Sequence, residues 1–446
     1  MTDSISPAVD LLATLIRNGC VNNGTPGSGQ EHRSVETLAG YFGKGGTVTE
    51  PHPGRQSVTY RVPGTRPDAP ALLLMGHTDV VPATPDRWTH DPFGGEIIDG
   101  FVWGRGAVDM LNLTAAMATV FKPFLTGDTE PLPGDLIFLA VADEEAAGIL
   151  GAHHLVTERW DLVGAPYVLT EIAYPALETA SGPKYPVSVG EKGPFWTKIR
   201  SAGEPGHGST PFARKNALEP LVEAVHTLFT TPAPVVISAE WKAFIEGLEL
   251  GPDERAELTD PDRIDGALER IAAESPGLAS YIHACTHLTV SPNVLHGGVK
   301  ANMIPDFAEA EIDLRALPGM TRGDIDTFFT KAMGAARDRL EIVPVADHEA
   351  NSSPISNPLW EVVVDSIEEL TGTRSVVPTM MPATTDARFF RERGSIAYGV
   401  GLFDDSIAFG DFLAMFHGDD ERVSVRSVDM TVQLLSEILE RWREAV

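Results

Sequence analysis

The chain has 446 residues, enough at about 150 residues per domain for two or three domains around a large core. Hydrophobic residues at 43% and charged residues at 22% are those of a soluble globular protein, which sets aside general disorder. Against 34 basic residues stand 63 acidic ones, a net charge of −29, and that excludes binding to nucleic acid or to an anionic membrane as the main role.

Residues 8–16 predict an opening helix with Val9, Leu12 and Ile16 on one face, followed by a Gly/Pro/Ser-rich turn over 22–29. Cys20 and Cys285 are the only cysteines, too few for a disulfide framework and without the paired spacing of a thiolate zinc site. The start lacks a basic segment before its apolar residues, and no later stretch has about 18 uninterrupted apolar residues, so the expectation is a cytoplasmic protein.

Three short apolar runs follow, at 71–75, 136–142 and 167–170. Having no polar face, they predict strands buried on both sides of a mostly parallel sheet. Helical patterns such as 113–121 lie between them, giving an α/β layout. From Phe195 the texture changes to a strand-like stretch over 195–199 and a helix over 216–230, with Leu218, Leu221, Val222, Val225 and Phe229 on its apolar face. A polar, acidic stretch over 240–275 comes next, then strand candidates at 286–290 and 308–315. Without βαβ alternation, this part reads as an α+β unit inserted into the first. Helices over 360–370 and at the C-terminus, the latter carrying Val432, Leu435, Ile438, Leu439 and Trp442, return to α/β character.

Each of the three buried runs stops at ionisable residues: His77 and Asp79, then Asp143, Glu144 and Glu145, then Glu171. Ligands of open parallel sheets bind beyond the carboxyl ends of the strands, so these groups are expected in one crevice. Asp109, ending the glycine-rich turn from Gly104, should join them, and His417 is a further ligand candidate. Imidazole and carboxylate without thiolate suit zinc, cobalt or manganese in a hydrolytic site. A liganding histidine needs its other ring nitrogen held, which gives Asp79 a role beside His77. The neighbours Glu144 and Glu145 point different ways, so one can ligate while the other takes a proton from water. His153, His154, His226, His283 and His287 have no such surroundings and read as surface or structural residues.

In chain order, Met75-Gly-His77-Thr-Asp79-Val-Val-Pro82, Gly104-Arg-Gly-Ala-Val-Asp109-Met110, Ala142-Asp-Glu144-Glu145, Gly206-His207-Gly-Ser-Thr-Pro211 with Asn216-Ala217, Asn302-Met-Ile-Pro305, Asp313-Leu-Arg315, Thr385-Asp386-Ala-Arg388 and Phe416-His417 span nearly the whole sequence. Together they resemble the M20 metallopeptidase family, which includes acetylornithine deacetylase, succinyl-diaminopimelate desuccinylase, aminoacylase and carboxypeptidase S relatives. The resemblance implies a mixed, mostly parallel sheet flanked by helices in a zinc-peptidase-like catalytic domain, formed by residues 1–189 and 347–446, with an α+β lid and dimerisation domain inserted at 190–346.

It further implies two divalent metal ions, most readily zinc, with cobalt or manganese as alternatives. His77 and Glu171 would hold one and Glu145 and His417 the other, with Asp109 bridging, Glu144 as general base and Asp79 orienting His77. His207 would help stabilise the oxyanion in a partner subunit, and Asn302 and Arg315 would bind the substrate's free carboxylate, for which the arginine fork is suited. The expected reaction is hydrolysis, by metal-activated water, of an amide or peptide bond next to that carboxylate, in a short peptide or an N-acyl amino acid, by a homodimer. The alternatives are a deacylase of acetylornithine deacetylase type and a non-catalytic metal-dependent binding protein. One departure concerns the segment Met381-Pro382-Ala383-Thr384, where many relatives carry glycines.

Overall fold

In the computed structural model, which describes residues 5–446, the three apolar runs lie side by side. The strand Leu72–His77 sits between Leu136–Val141 and Tyr167–Thr170 and is parallel to both. Side chains alternate across a strand, so Leu72 and Leu74 enter one core while Leu73 and Met75 enter another. Continuous apolarity in these runs is therefore the signature of a sheet covered on both faces. Ile396–Gly399 adds a fourth parallel strand beside Tyr167–Thr170.

Outside this centre the sheet becomes antiparallel. Arg55–Val62 pairs with Leu136–Val141 and carries Thr47–His52 at the edge. On the other side Gly182–Glu191 runs against Ile396–Gly399 and holds Val376–Met381 in parallel. The result is a ten-stranded mixed sheet with a parallel middle. One face is covered by the helices Pro7–Asn18, His32–Phe42, Leu111–Thr126 and Val425–Ala445. The opposite face is covered by a smaller cluster that includes Leu155, Phe389 and Phe390.

A second, five-stranded antiparallel sheet is built from Gly193–Pro194, Thr197–Ala202, Thr289–Gly297, Phe307–Ala316 and Leu340–Pro344. Phe307–Ala316 alternates strictly between buried and half-exposed positions after its first residue, because helix Leu218–Thr230, backed by Arg322–Met333, covers one face only. In Leu218–Thr230 the buried residues are Pro220, Leu221, Ala224 and Leu228, whereas Val222 and Phe229 are exposed. The expected apolar face was thus rotated: the stripe that meets the sheet uses small Ala224, which hydrophobicity alone underrates.

The strand expected at 286–290 begins only at Thr289, since the preceding residues complete the helix Pro276–Thr286. The acidic stretch before it is helical as well, as Ala239–Gly247, Pro252–Leu258 and Ile264–Glu274. These helices fold around a few apolar side chains, Trp241, Phe244, Ile245, Ile264 and Leu268. They return to the first sheet: Ala239–Gly247 packs on Val376–Met381, and the Tyr281 hydroxyl donates to the Met380 carbonyl at 3.2 Å. Among the described residues no helix is long and apolar enough to cross a membrane.

Candidate metal centre

The carboxyl ends of the parallel strands deliver the chemistry. His77 closes its strand, Glu171 follows Tyr167–Thr170, and Glu144 and Glu145 form a tight turn just past Leu136–Val141. Asp109 is presented by the turn that starts at Gly104. That turn needs glycine at Gly106, where φ is +90° and an added Cβ would stand 2.6 Å from Leu111 and 2.8 Å from Val80. His417 arrives from the far end of the chain, after the helix Phe409–Met415.

Asp109 is the centre of the arrangement. Its Oδ1 lies 3.2 Å from His77 Nε2 and its Oδ2 lies 3.4 Å from His417 Nε2. His77 Nε2 is also 3.6 Å from Glu171 Oε2, and His417 Nε2 is 3.1 Å from Glu145 Oε2. Ligand atoms of His77, Asp109 and Glu145 lie within 4.8 Å of one another, as do those of His77, Glu144 and Glu171. His77 is buried and the His417 side chain is 56% exposed, so the crevice opens on the His417 side.

Four carboxylates share this crevice with two imidazoles, and the titration of each group reflects it. Burial pushes Glu145 up to about 7, reinforced by the Asp109 charge, and pushes Glu144 and Glu171 up as well. Hydrogen bonds that His417 donates to Asp109 and Glu145 raise it to about 10. Burial works against a charged His77, but Asp109 and Glu171 outweigh it and raise it well above the ordinary imidazole range. Buried like charges are costly unless cations compensate them. Glu145 Oε1 is buried without a hydrogen-bond partner, and the donor set is oxygen and imidazole nitrogen only. The site therefore fits divalent cations of the zinc, manganese and cobalt kind.

Behind the crevice Asp79 meets His77 through its backbone. His77 Nδ1 is held by the backbone carbonyl of Asp79 at 2.9 Å, whereas the Asp79 carboxylate is 3.7 Å away. That carboxylate instead accepts the backbone amides of Glu144, at 3.2 Å, and Glu145, at 3.1 Å. The physical reason is acceptor capacity: two unpaired amides at the start of a tight turn match a two-oxygen acceptor better than a single ring N–H does. Sequence reasoning also gave no role to Glu421. Fully buried, it accepts from Arg105 Nη1 at 2.8 Å and from the amides of Gly106, Val108 and Asp109, and so shapes the Asp109 turn.

A cavity of about 390 Å³ adjoins the crevice. Asp109, Glu144, Glu145, Glu171 and His417 form its floor, and Ile149, Ile172, Trp196, Met381 and Phe416 supply apolar walls. Arg315 also lines it, with Nε 3.0 Å and Nη2 3.2 Å from the Asp313 carboxylate and Nη1 donating to Thr384 Oγ1 at 3.2 Å. His207 and Asn302 are elsewhere. Both are exposed and adjacent on the ribbon formed by Gly206–His207 and Met303–Ile304, with Gly208 N donating to the Asn302 carbonyl at 2.8 Å.

Comparison with known proteins bears on the family and the fold. The sequence profile of Peptidase family M20/M25/M40 matches residues 73–441. The chain is 26% identical over 443 residues to aminoacylase-1 of Sus scrofa, covering 96% of this chain and 95% of that protein. It is 27% identical over 372 residues to succinyl-diaminopimelate desuccinylase of Paracoccus denitrificans, with 82% of each covered. Among solved structures, an M20 family metallo-carboxypeptidase from Sulfolobus solfataricus superposes with a TM-score of 0.72 at 17% identity, covering 98% of this chain and 100% of the other.

Proposed function

Because the chain belongs to Peptidase family M20/M25/M40 and is accordingly a hydrolytic enzyme, we propose that it cleaves an amide or peptide bond next to a free carboxylate with the help of two divalent cations, most readily zinc. One observation carries the reading: the two oxygens of Asp109 each face a different imidazole, at 3.2 and 3.4 Å, so this carboxylate can bridge two ions. His77 and Glu171 would then complete one ion's ligand set and Glu145 and His417 the other's. When bound, the pair would polarise the scissile carbonyl and make an attacking water more acidic.

The chain's own residues do the rest. Glu144 is half-buried at the cavity floor and forms no ion pair among the described residues, so its carboxylate is free to accept the water's proton and return it to the leaving nitrogen. Arg315 would hold the substrate's carboxylate through the guanidinium N–H groups that Asp313 and Thr384 leave unused, kept in orientation by Asp313. The apolar walls suit an uncharged acyl group or side chain and would displace water from the reacting bond. Two buried free thiols, Cys20 and Cys285, support a reducing, cytoplasmic location.

Residues 190–346 would serve as lid and dimerisation domain. His207 and Asn302 do not line the cavity of their own chain, and the apolar side chains near them are bare, Phe212 at 95% and Val299 at 88% exposure. A second copy docking there would cover them and carry His207 and Asn302 toward its cavity. Light scattering at twice the chain mass is expected, and a monomer at micromolar concentration would remove the role for His207.

The test of the reaction is release of free amino acid from N-acetyl, N-succinyl and longer N-acyl amino acids and from dipeptides, by zinc- or cobalt-loaded protein beside Glu144→Ala. The variant should lose turnover and retain its metal. Turnover surviving in Glu144→Ala would refute the assignment of the base. Release of two amino acids, as opposed to one, would identify a peptidase over a deacylase.

A further inference from the structure

The stretch matched by the family profile begins at residue 73, yet three buried residues before it reach the turn that carries Glu144. Asn22, Glu31 and Arg55 are exposed by only 2%, 0% and 2%. They come from three separate segments: the loop after the first helix, the start of His32–Phe42, and the strand Arg55–Val62.

Their contacts form one chain of hydrogen bonds. Arg55 Nη1 donates to Glu31 Oε1 at 2.8 Å and lies 3.6 Å from Asp143 Oδ1. Arg55 Nη2 donates to Asn22 Oδ1 at 2.8 Å, which turns the Asn22 amide so that its Nδ2 donates to Asp79 Oδ2 at 2.8 Å and approaches Asp143 Oδ1 at 3.4 Å. Asp79 in turn accepts the amides of Glu144 and Glu145, and Asp143 Oδ2 accepts that of Leu150 at 2.8 Å. The turn held this way is under backbone strain, since Asp143 and Ala147 take φ of +71° and +75° without being glycine. Such conformations persist only where the surroundings over-determine them.

Three buried carboxylates, those of Glu31, Asp79 and Asp143, therefore converge on a single guanidinium and one side-chain amide. A packing role alone would need neither the fork of Arg55 nor the orientation of Asn22. We propose that Arg55 is a positioning residue for the hydrolytic reaction: acting through Asn22 and Asp79, it fixes the backbone of Glu144 and Glu145 and with it the placement of the base. The proposal rests on the reading of Glu144 as general base.

Two variants test it. Asn22→Ala cuts the link and leaves the Arg55–Glu31 pair intact, while Arg55→Lys keeps the charge but removes the fork that serves Glu31 and Asn22 together. The first readout is amide hydrogen exchange in protein without added metal. Peptides covering Glu144 and Glu145 should exchange about 10-fold faster in both variants, with peptides covering Leu136–Val141 unchanged. The second is kinetic, on metal-loaded enzyme: kcat should fall about 10- to 100-fold with KM within about 2-fold, the mark of a misplaced group and not of weaker binding. Unchanged protection at Glu144 and Glu145, or an equal rise along Leu136–Val141, would overturn the proposal, as would a KM effect without a kcat effect. Should Glu144→Ala keep its turnover, the reading of the base fails by itself, and the exchange data still decide whether Arg55 holds the turn.

Discussion

Gly151→Ala is the most decisive single substitution outside the ionisable residues. Gly151 has φ −105° and ψ −107°, and a Cβ built on it would stand 1.7 Å from the carbonyl oxygen of Ala142. A methyl carbon does not approach a carbonyl oxygen closer than about 3 Å, so Ala142 would have to retreat by more than about 1 Å. Ala142 is the second residue before Glu144, and its amide is tied to Ser57 Oγ at 3.1 Å, which leaves the displacement little outlet except through the Asp143–Glu145 turn. Overpacking of this kind should lower stability by about 1 to 3 kcal/mol or more. A shift of about 1 Å at the base should lower kcat by about 100-fold. The assay is denaturant unfolding together with kcat and KM, beside Gly323→Ala as a control. Gly323 lies in the helix Arg322–Met333, where an added Cβ would meet only Thr321 Oγ1 at an ordinary 3.6 Å, and alanine there should stabilise by about 0.5 to 1 kcal/mol. If Gly151→Ala unfolded at the wild-type midpoint with unaltered kcat, the packing between Gly151 and Ala142 would not be what places the turn.

Two further outcomes are expected. Arg315→Lys should raise KM about 10- to 100-fold with kcat changed about 3-fold or less, because an ammonium cannot reproduce the planar fork that Asp313 orients; an unchanged KM across the substrate panel would show that another group reads the carboxylate. His283 and His287 stack with centroids 4.2 Å apart and planes 8° apart, and desolvation holds both imidazoles below their ordinary value of 6.5. Above that pH neither the folded nor the unfolded chain binds protons there, and below it the unfolded chain takes up protons that the folded one resists, so stability is lost as pH falls. His283→Gln should thus lose less stability than wild type between about pH 7.5 and pH 5.5, with Asp265, 3.0 Å from His287, still in place. Equal losses in the two proteins would refute the assignment.

The centre of the fold was legible because its strands are short, apolar on both faces and punctuated by charge. His77, Glu144, Glu145 and Glu171 stand at strand ends in the sequence and meet in space for that reason. Legibility fails where tertiary contacts decide. The helices between 239 and 286 do carry apolar stripes, Trp241, Phe244, Ile245 and Leu248 in one and Ile264, Ala267, Leu268 and Ile271 in another, but each is short and set among acidic residues, so the stretch reads as merely polar. Asn22, Glu31 and Arg55 lie in stretches with no motif, and only the fold brings them to Asp79. Which atoms of Asp79 act was equally hidden: its backbone carbonyl meets His77 Nδ1, while two backbone amides at the next strand end claim its carboxylate.

The way the two sheets are joined has a mechanical consequence. The chain passes from one to the other between Glu191 and Gly193, and it returns so that Asn351 pairs with Glu191 on one side of that strand. On the strand's other side Met380 pairs with Gly190, and Met380 is where Tyr281 and Cys285 of the helical insertion attach. Three attachments thus stand in a row across a single strand. A hinge made of one pair of strands both bends and twists, whereas a row of three resists twisting and leaves bending about the line of the row as the soft motion. Were the second sheet to bend about that row, Trp196 and Arg315, which both belong to it and line the cavity, would move along one arc.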